Sequence, residues 1–152
     1  MLEMTRQNLR KVISNVLESM FFIFIEPVSA SECARDLTGV NFHQVQISLI
    51  GPQQKLDLDF FFAVSLAEQM AANFLGVDIC DVNNLQVLDV LKEVVNMVAG
   101  GLVNICDPDG SILLGIPNIP ETAVPGEDII INSELNCYGS DDGYLLVRCL
   151  GN

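Results

Sequence analysis

The spacing of apolar residues changes several times along the chain, and each change marks a predicted element. Over residues 5–21, Leu9, Val12, Ile13, Val16, Leu17, Met20 and Phe21 share one face at helical spacing. Arg6, Arg10, Ser14 and Glu18 lie elsewhere on that helix, and Thr5 stands where its cap belongs. The apolar run Phe22 to Ile25 leads to Pro27, which stops any helix before it. From about residue 28 to 64 the period becomes two. Phe42, Val45, Ile47 and Leu49 make one strand, Gly51-Pro52 a turn, and Leu56, Leu58 and Phe60 a second strand, antiparallel to the first. Asp57 and Asp59 alternate with those apolar residues and are expected on the hydrated face. Ser65 and Glu68 predict a capping box for a helix over 66–75, ended by Gly76. A connection over 77–83 then reaches an Asx cap at Asn83 or Asn84.

Asn84 to Asn104 is the stretch around which the other elements are organised. Leu88, Leu91, Val95, Val98 and Leu102 predict a helix buried along a single stripe. Asp89, Glu93, Asn96 and Gly100 fall together on another side, a row of oxygen-bearing groups ending in a residue with no side chain. Gly100 and Gly101 each cost a helix interior about 1 kcal/mol relative to alanine. The helix therefore frays there, or the bare backbone serves close packing or docking. Asp107-Pro108-Asp109-Gly110 reads as a turn and lacks the further ligands of a calcium loop. Ile112 to Ile116 reads as a strand, 117–120 as irregular, and Pro125-Gly126 as a break. Residues 128–138 and 143–150 read as a terminal hairpin turned at 139–142. The predicted class is α+β in one domain over residues 1–152. Two pseudo-repeated helix-plus-strands halves, meeting near residue 64, form an antiparallel sheet packed against helices. Aligning Glu18 with Glu93 puts Ser14 over Asp89 and Phe21 over Asn96, so the polar row is spoiled in the first copy.

At 152 residues and 50% hydrophobic, the chain can fill one core. Seven basic residues against 20 acidic ones give a net charge of −13. That balance argues against nucleic acid and against an anionic membrane surface, both of which require clustered Lys and Arg. Five cysteines without a C-x-x-C, and a single histidine, His43, favour reduced thiols over a disulfide framework or a zinc site. Asn15 and Glu18 interrupt the apolar stretch that follows Arg6, Arg10 and Lys11, so a signal peptide is not expected. A cytoplasmic protein is.

The candidate chemistry lies in Glu93 and Asn96, three residues apart on one helix face. A carboxamide is neutral and both donates and accepts hydrogen bonds. It can hold a water near an anionic phosphoryl group and aim it in line, and in phosphoryl transfer positioning supplies most of what a protein contributes. Glu93 suits a different task, pairing with a cation on a partner, because its charge would oppose phosphoryl oxygens. No G-x-S-x-G, Walker A loop or Gly-rich dinucleotide turn occurs. His43 has no adjacent nucleophile or orienting group in the sequence and reads as a structural or surface residue.

Asp89-x-x-x-Glu93-x-x-Asn96, with Gly100 and then Pro117 about twenty residues on, resembles the signature of the CheC/CheX/FliY family of chemotaxis phosphatases. Phe21, where a first active helix would carry Asn, makes the resemblance CheX-like, with one site per chain. The resemblance implies a cytoplasmic phosphatase for the phosphorylated aspartate of a CheY-type response regulator. It implies that Asn96 orients the hydrolytic water, that Glu93 binds the regulator's lysine, and that Asp89 and Gly100 belong to the partner-binding surface. It implies no cofactor of the chain's own, Mg2+ being the regulator's, and a homodimer built by joining sheets. The alternative is a non-catalytic module of the same fold that docks a response regulator or a flagellar switch partner. A plain structural homodimer whose helix face is simply wet is a third reading.

Overall fold

The computed structural model describes residues 5–107 and 109–151, with the backbone alone at residue 121. Thr5 Oγ1 accepts the Asn8 amide at 3.0 Å and starts α1 (Arg6–Phe21), as the cap pattern predicts. Phe22 adopts a left-handed conformation (φ 56°), and the Ile23 amide closes the helix on the Leu17 carbonyl at 3.0 Å. The chain then forms β1 (Glu26–Pro27), α2 (Ala30–Asp36), β2 (Asn41–Ile50), β3 (Lys55–Ala63) and α3 (Val64–Leu75). A short 3-10 turn leads to α4 (Asn84–Cys106), followed by β4 (Leu113–Leu114), β5 (Asn118–Pro125), β6 (Leu135–Gly139) and β7 (Leu145–Gly151).

All seven strands belong to one antiparallel sheet in the order β1-β6-β7-β3-β2-β4, with β5 also pairing β2. The predicted α+β class and the two-half layout both hold. β3 of the first half pairs β7 of the second at the centre, with β2 and β6 outside them. The edge strands are exchanged: β1 joins the second half's hairpin, and β4 and β5 join the first half's. Helices α1, α3 and α4 pack on one another and on one face of the sheet. That face carries Val45, Ile47 and Leu49 of β2 opposite Phe60, Leu58 and Leu56 of β3, all buried.

The structure departs from the sequence expectations in six places. Residues 30–36 form α2 where a strand period was expected. Ser29 Oγ accepts the Glu32 amide at 3.2 Å, and Cys33 and Leu37, one turn apart, are buried. The S-x-x-E pattern was visible, but two apolar residues are too few to register a helical period. The capping box at Ser65 is absent. The helix starts two residues earlier, at Val64, without a side-chain cap, and the Ser65 hydroxyl donates to the Asp142 carbonyl at 2.7 Å. Residues 118–125 are a strand despite three prolines nearby. They pair only β2, with register shifts and a left-handed Ala123, as an edge strand permits. Residues 128–134 are not in the terminal hairpin, and the strand expected over 112–116 shortens to β4. Asp57 is hydrogen-bonded to the Ser48 hydroxyl at 2.6 Å, whereas Asp59, expected to be hydrated, is 7% exposed between cross-strand Gln46 and Arg148.

Past α4, Asp107 Oδ2 accepts the Ile112 amide at 2.6 Å and Oδ1 the Ser111 hydroxyl at 3.0 Å, which forms the expected turn. Pro108 of that turn lies outside the described residues. All five cysteines are free thiols. Among the described residues no helix is long and apolar enough to cross a membrane.

The two glycines of α4 differ. A Cβ at Gly101 would stand 2.7 Å from Val12 Cγ1 of α1, whereas one at Gly100 would meet nothing within 4 Å. Val12 is β-branched and cannot turn aside freely. Gly101→Ala is therefore expected to destabilise by up to about 2 kcal/mol, crowding of ~1–3 kcal/mol offsetting or outweighing a propensity gain of about 1 kcal/mol. Gly100→Ala should stabilise by up to about 1 kcal/mol. Urea denaturation of both variants checks this, and equal effects would refute it.

His43 is buried, with Nδ1 lacking a hydrogen-bond partner, and burial holds its pKa below the ordinary value despite Glu68 nearby. The unfolded chain takes up a proton near pH ~6.5 that the folded chain resists, so this contribution to stability is complete above that pH and is lost as pH falls below it. Unfolding free energies at about pH 7.5 and 5.5 should differ more for the wild type than for His43→Gln.

Candidate functional site

The candidate site is built on α4, whose start is fixed locally. Asn83 Oδ1 accepts the Gln86 amide at 2.9 Å, and Gln86 Oε1 accepts the Asn83 amide at 3.0 Å. This reciprocal capping box decides between the two candidate caps in favour of Asn83. Val87, Val90, Leu91, Val94, Val95, Val98, Ala99 and Leu102 are then buried. That arc is wider than the single stripe predicted, and Leu88 sits half-buried at its margin. The reason is that α4 packs against α1, α3 and β2 together rather than against one neighbour.

The remaining arc carries the polar row. Asp89 and Glu93 are exposed; Asn96 and Gly100 are half-buried. Steps of four, three and four residues stack them on consecutive turns, and at 1.5 Å per residue the row is about 16 Å long. Among the described residues, no hydrogen bond or ion pair engages the side chains of Asp89, Glu93 or Asn96. Lys92 is also exposed beside Glu93, and sequence reasoning passed over it. The pair Asp89 and Glu93 sets like charges at i,i+4, an arrangement that costs an isolated helix about 0.2–0.5 kcal/mol. Gly100 leaves open space at the end of the row. The arrangement offers an anionic group and a neutral amide on one rigid rod, next to backbone that another surface can approach.

The corresponding position in the first half cannot do the same. Phe21 is fully buried and stacks on Phe74 at 5.2 Å between ring centroids, and its carbonyl accepts the Asn73 amide group at 2.8 Å. Among the described residues, no cluster of three or more His, Cys, Asp or Glu side chains is arranged to hold a metal ion. His43 lies inside, 5% exposed.

Neither a protein-family profile nor a curated protein sequence matches the chain. Solved structures do. CheX from Vibrio vulnificus superposes with a TM-score of 0.76 at 21% identity, covering 97% of this chain and 98% of that one. A CheC-like superfamily protein from Shewanella sp. PV-4 gives 0.70 at 19% identity, covering 98% and 99%. The chain of the CheX–CheY–BeF3–Mg2+ complex from Borrelia burgdorferi gives 0.65 at 17%, covering 96% of each chain. The chain has the CheC/CheX fold. The row of α4 lies opposite the buried arc of its helix, and each superposition runs over nearly the whole length of the neighbour.

A row with no partners in the fold can be removed at little cost. Asn96→Ala should change unfolding free energy by less than about 0.5 kcal/mol. Glu93→Ala should be neutral or slightly stabilising, by ~0.2–0.5 kcal/mol, as repulsion with Asp89 is relieved. Chemical denaturation is the check, and a loss above about 2 kcal/mol for Asn96→Ala would mark it as part of the core network.

Proposed function

We propose that this protein is a cytoplasmic phosphatase acting on the phosphorylated aspartate of a CheY-type response regulator. The observation that carries the reading is the exposed, unpartnered Glu93–Asn96 pair on a rigid helix beside bare Gly100, within a CheC/CheX fold. Support also comes from the B. burgdorferi CheX, which was solved in a complex with CheY.

In this mechanism the regulator approaches along the Gly100 end of the row. The Asn96 carboxamide holds a water in line with the acyl-phosphate bond. Water oxygen bonds to phosphorus, the bond from phosphorus to the aspartyl oxygen breaks, and the regulator recovers a carboxylate as inorganic phosphate leaves with one of the water's protons and the other passes to solvent. A neutral amide does this without repelling the phosphoryl oxygens, whereas a carboxylate at position 96 would repel them. Glu93 pairs with a cation of the regulator, its lysine by resemblance, and Asp89 extends the same anionic edge. The Mg2+ ion belongs to the regulator and neutralises its phosphoryl group. The reading includes a homodimer joined at sheet edges, for which exposed Leu113, Leu114 and Ile116 give the β4 edge an apolar rim.

Loss of radiolabel from a phosphorylated CheY-type regulator is the test. Asn96→Ala should abolish turnover while binding persists, since its contribution is made in the transition state. Glu93→Ala should weaken binding, a defect that shrinks at high regulator concentration. Equal rates for wild type and Asn96→Ala would reject the enzyme, and binding of the regulator without turnover by the wild type would leave a docking module.

A further inference from the structure

A cleft of about 600 Å3 opens between the start of α1, the segment 27–30 that leads into α2, and residues 132–138 ahead of and within β6. Its walls contain none of Asp89, Glu93, Asn96 or Gly100, so the cleft is independent of the phosphatase reading. The chain has 20 acidic residues and seven basic ones, yet among the described residues this cleft is lined by two arginines and no carboxylate.

Arg6 and Arg10 are one turn apart on α1 and so face the same way. Neither meets a carboxylate within ion-pair distance among the described residues. The Arg6 guanidinium donates to the Ser133 carbonyl, which anchors it in the wall; Arg10 has no partner among the described residues. Burial pushes the pKa of the Tyr138 hydroxyl at the base of the cleft up, and the positive charges of Arg6 and Arg10 partly oppose that rise. Setting two guanidinium groups side by side without counter-charge opposes helix stability by mutual repulsion. Guanidinium forks match the planar oxygens of carboxylates and phosphates, and they do so best where water is partly excluded.

The rest of the lining fits a molecule rather than a bare ion. Val28 and Leu135 supply apolar wall, and Asn136 commits its amide group to the Val147 carbonyl at 3.2 Å, which leaves its own oxygen as an acceptor. The volume lies in the range of small-molecule sites. We infer that this cleft binds a small organic anion, a phosphate or carboxylate carried on a partly apolar body, held by Arg6 and Arg10. Negative net charge repels anions at long range, so the contacts in the cleft must supply the attraction and the binding must weaken with salt.

The full chain is titrated with AMP as a phosphate probe, citrate as a carboxylate probe and adenosine as the uncharged control, by calorimetry and amide chemical shifts. AMP or citrate should bind, with shifts centred on residues 6–10, 28–30 and 132–138, and more weakly at physiological than at low ionic strength. The arm that binds more tightly identifies the headgroup. Arg10→Gln should weaken binding roughly tenfold, the scale of one charged hydrogen bond, without lowering the melting temperature, because Arg10 has no hydrogen-bond or ion-pair partner among the described residues. Arg6→Gln gives a second, independent reading, although it also releases the Ser133 tether. The inference is overturned if neither anion binds the wild type, if adenosine binds as well as AMP, or if Arg10→Gln binds as tightly as the wild type.

Discussion

Gly101 of α4 lies so near Val12 of α1 that a single added carbon would stand 2.7 Å from the valine methyl. The backbones of these two helices can approach in this way only where one of them has no side chain. The contact fixes how far α4 sits from α1 and how it is rotated about its own axis. With α3 and β2 closing on the helix as well, every apolar position from Val87 to Leu102 except Leu88 and the partly buried Met97 is inside. Rotation by one residue would expose a valine and bury a carboxylate. The orientation of Asp89, Glu93 and Asn96 is therefore set by packing on the far side of the helix, not by contacts of their own.

The two halves of the fold present different side chains at corresponding helix positions. The exchange of edge strands ties the halves into one sheet, so neither can be lost. Their helices have diverged in opposite directions. In α4 the outer face holds unpartnered polar groups, whereas at the end of α1 the aligned position is Phe21, stacked under Phe74 and joined through its carbonyl to Asn73. A phenyl ring at that place fills core volume that an amide would leave unsatisfied.

Among the described residues, Asp89 with Glu93 on α4 and Arg6 with Arg10 on α1 set like charges one helical turn apart without an ion-pair partner. Each opposes local stability, and each lies where an outside group can reach it. Stability given up at a specific spot in an otherwise well-packed chain is the physical mark of a site that completes itself with something else. The two are opposite in sign, which suits the negative row to a cationic partner surface and the arginines to an anion.

Much of this was legible in the residues alone, where a signal is local and repeated. The helical period of α4 displayed the row from Asp89 to Gly100, Thr5 marked the start of α1, and strict alternation gave the β2–β3 hairpin. Short or dual-purpose signals were not legible. The Ser29 cap of α2 came with too few apolar residues to show a period, and Ser65 spends its hydroxyl on Asp142. β5 carries prolines that read as breaks until its place at the edge of β2 is known. A sequence also cannot say which of two adjacent glycines meets a neighbour, or that Arg6 and Arg10 share a cleft with residues more than a hundred positions away. Period and capping depend on neighbours along the chain, so residue order alone decides them; burial, edge position and clustering depend on which distant segments arrive at the same place, and only the folded chain decides those.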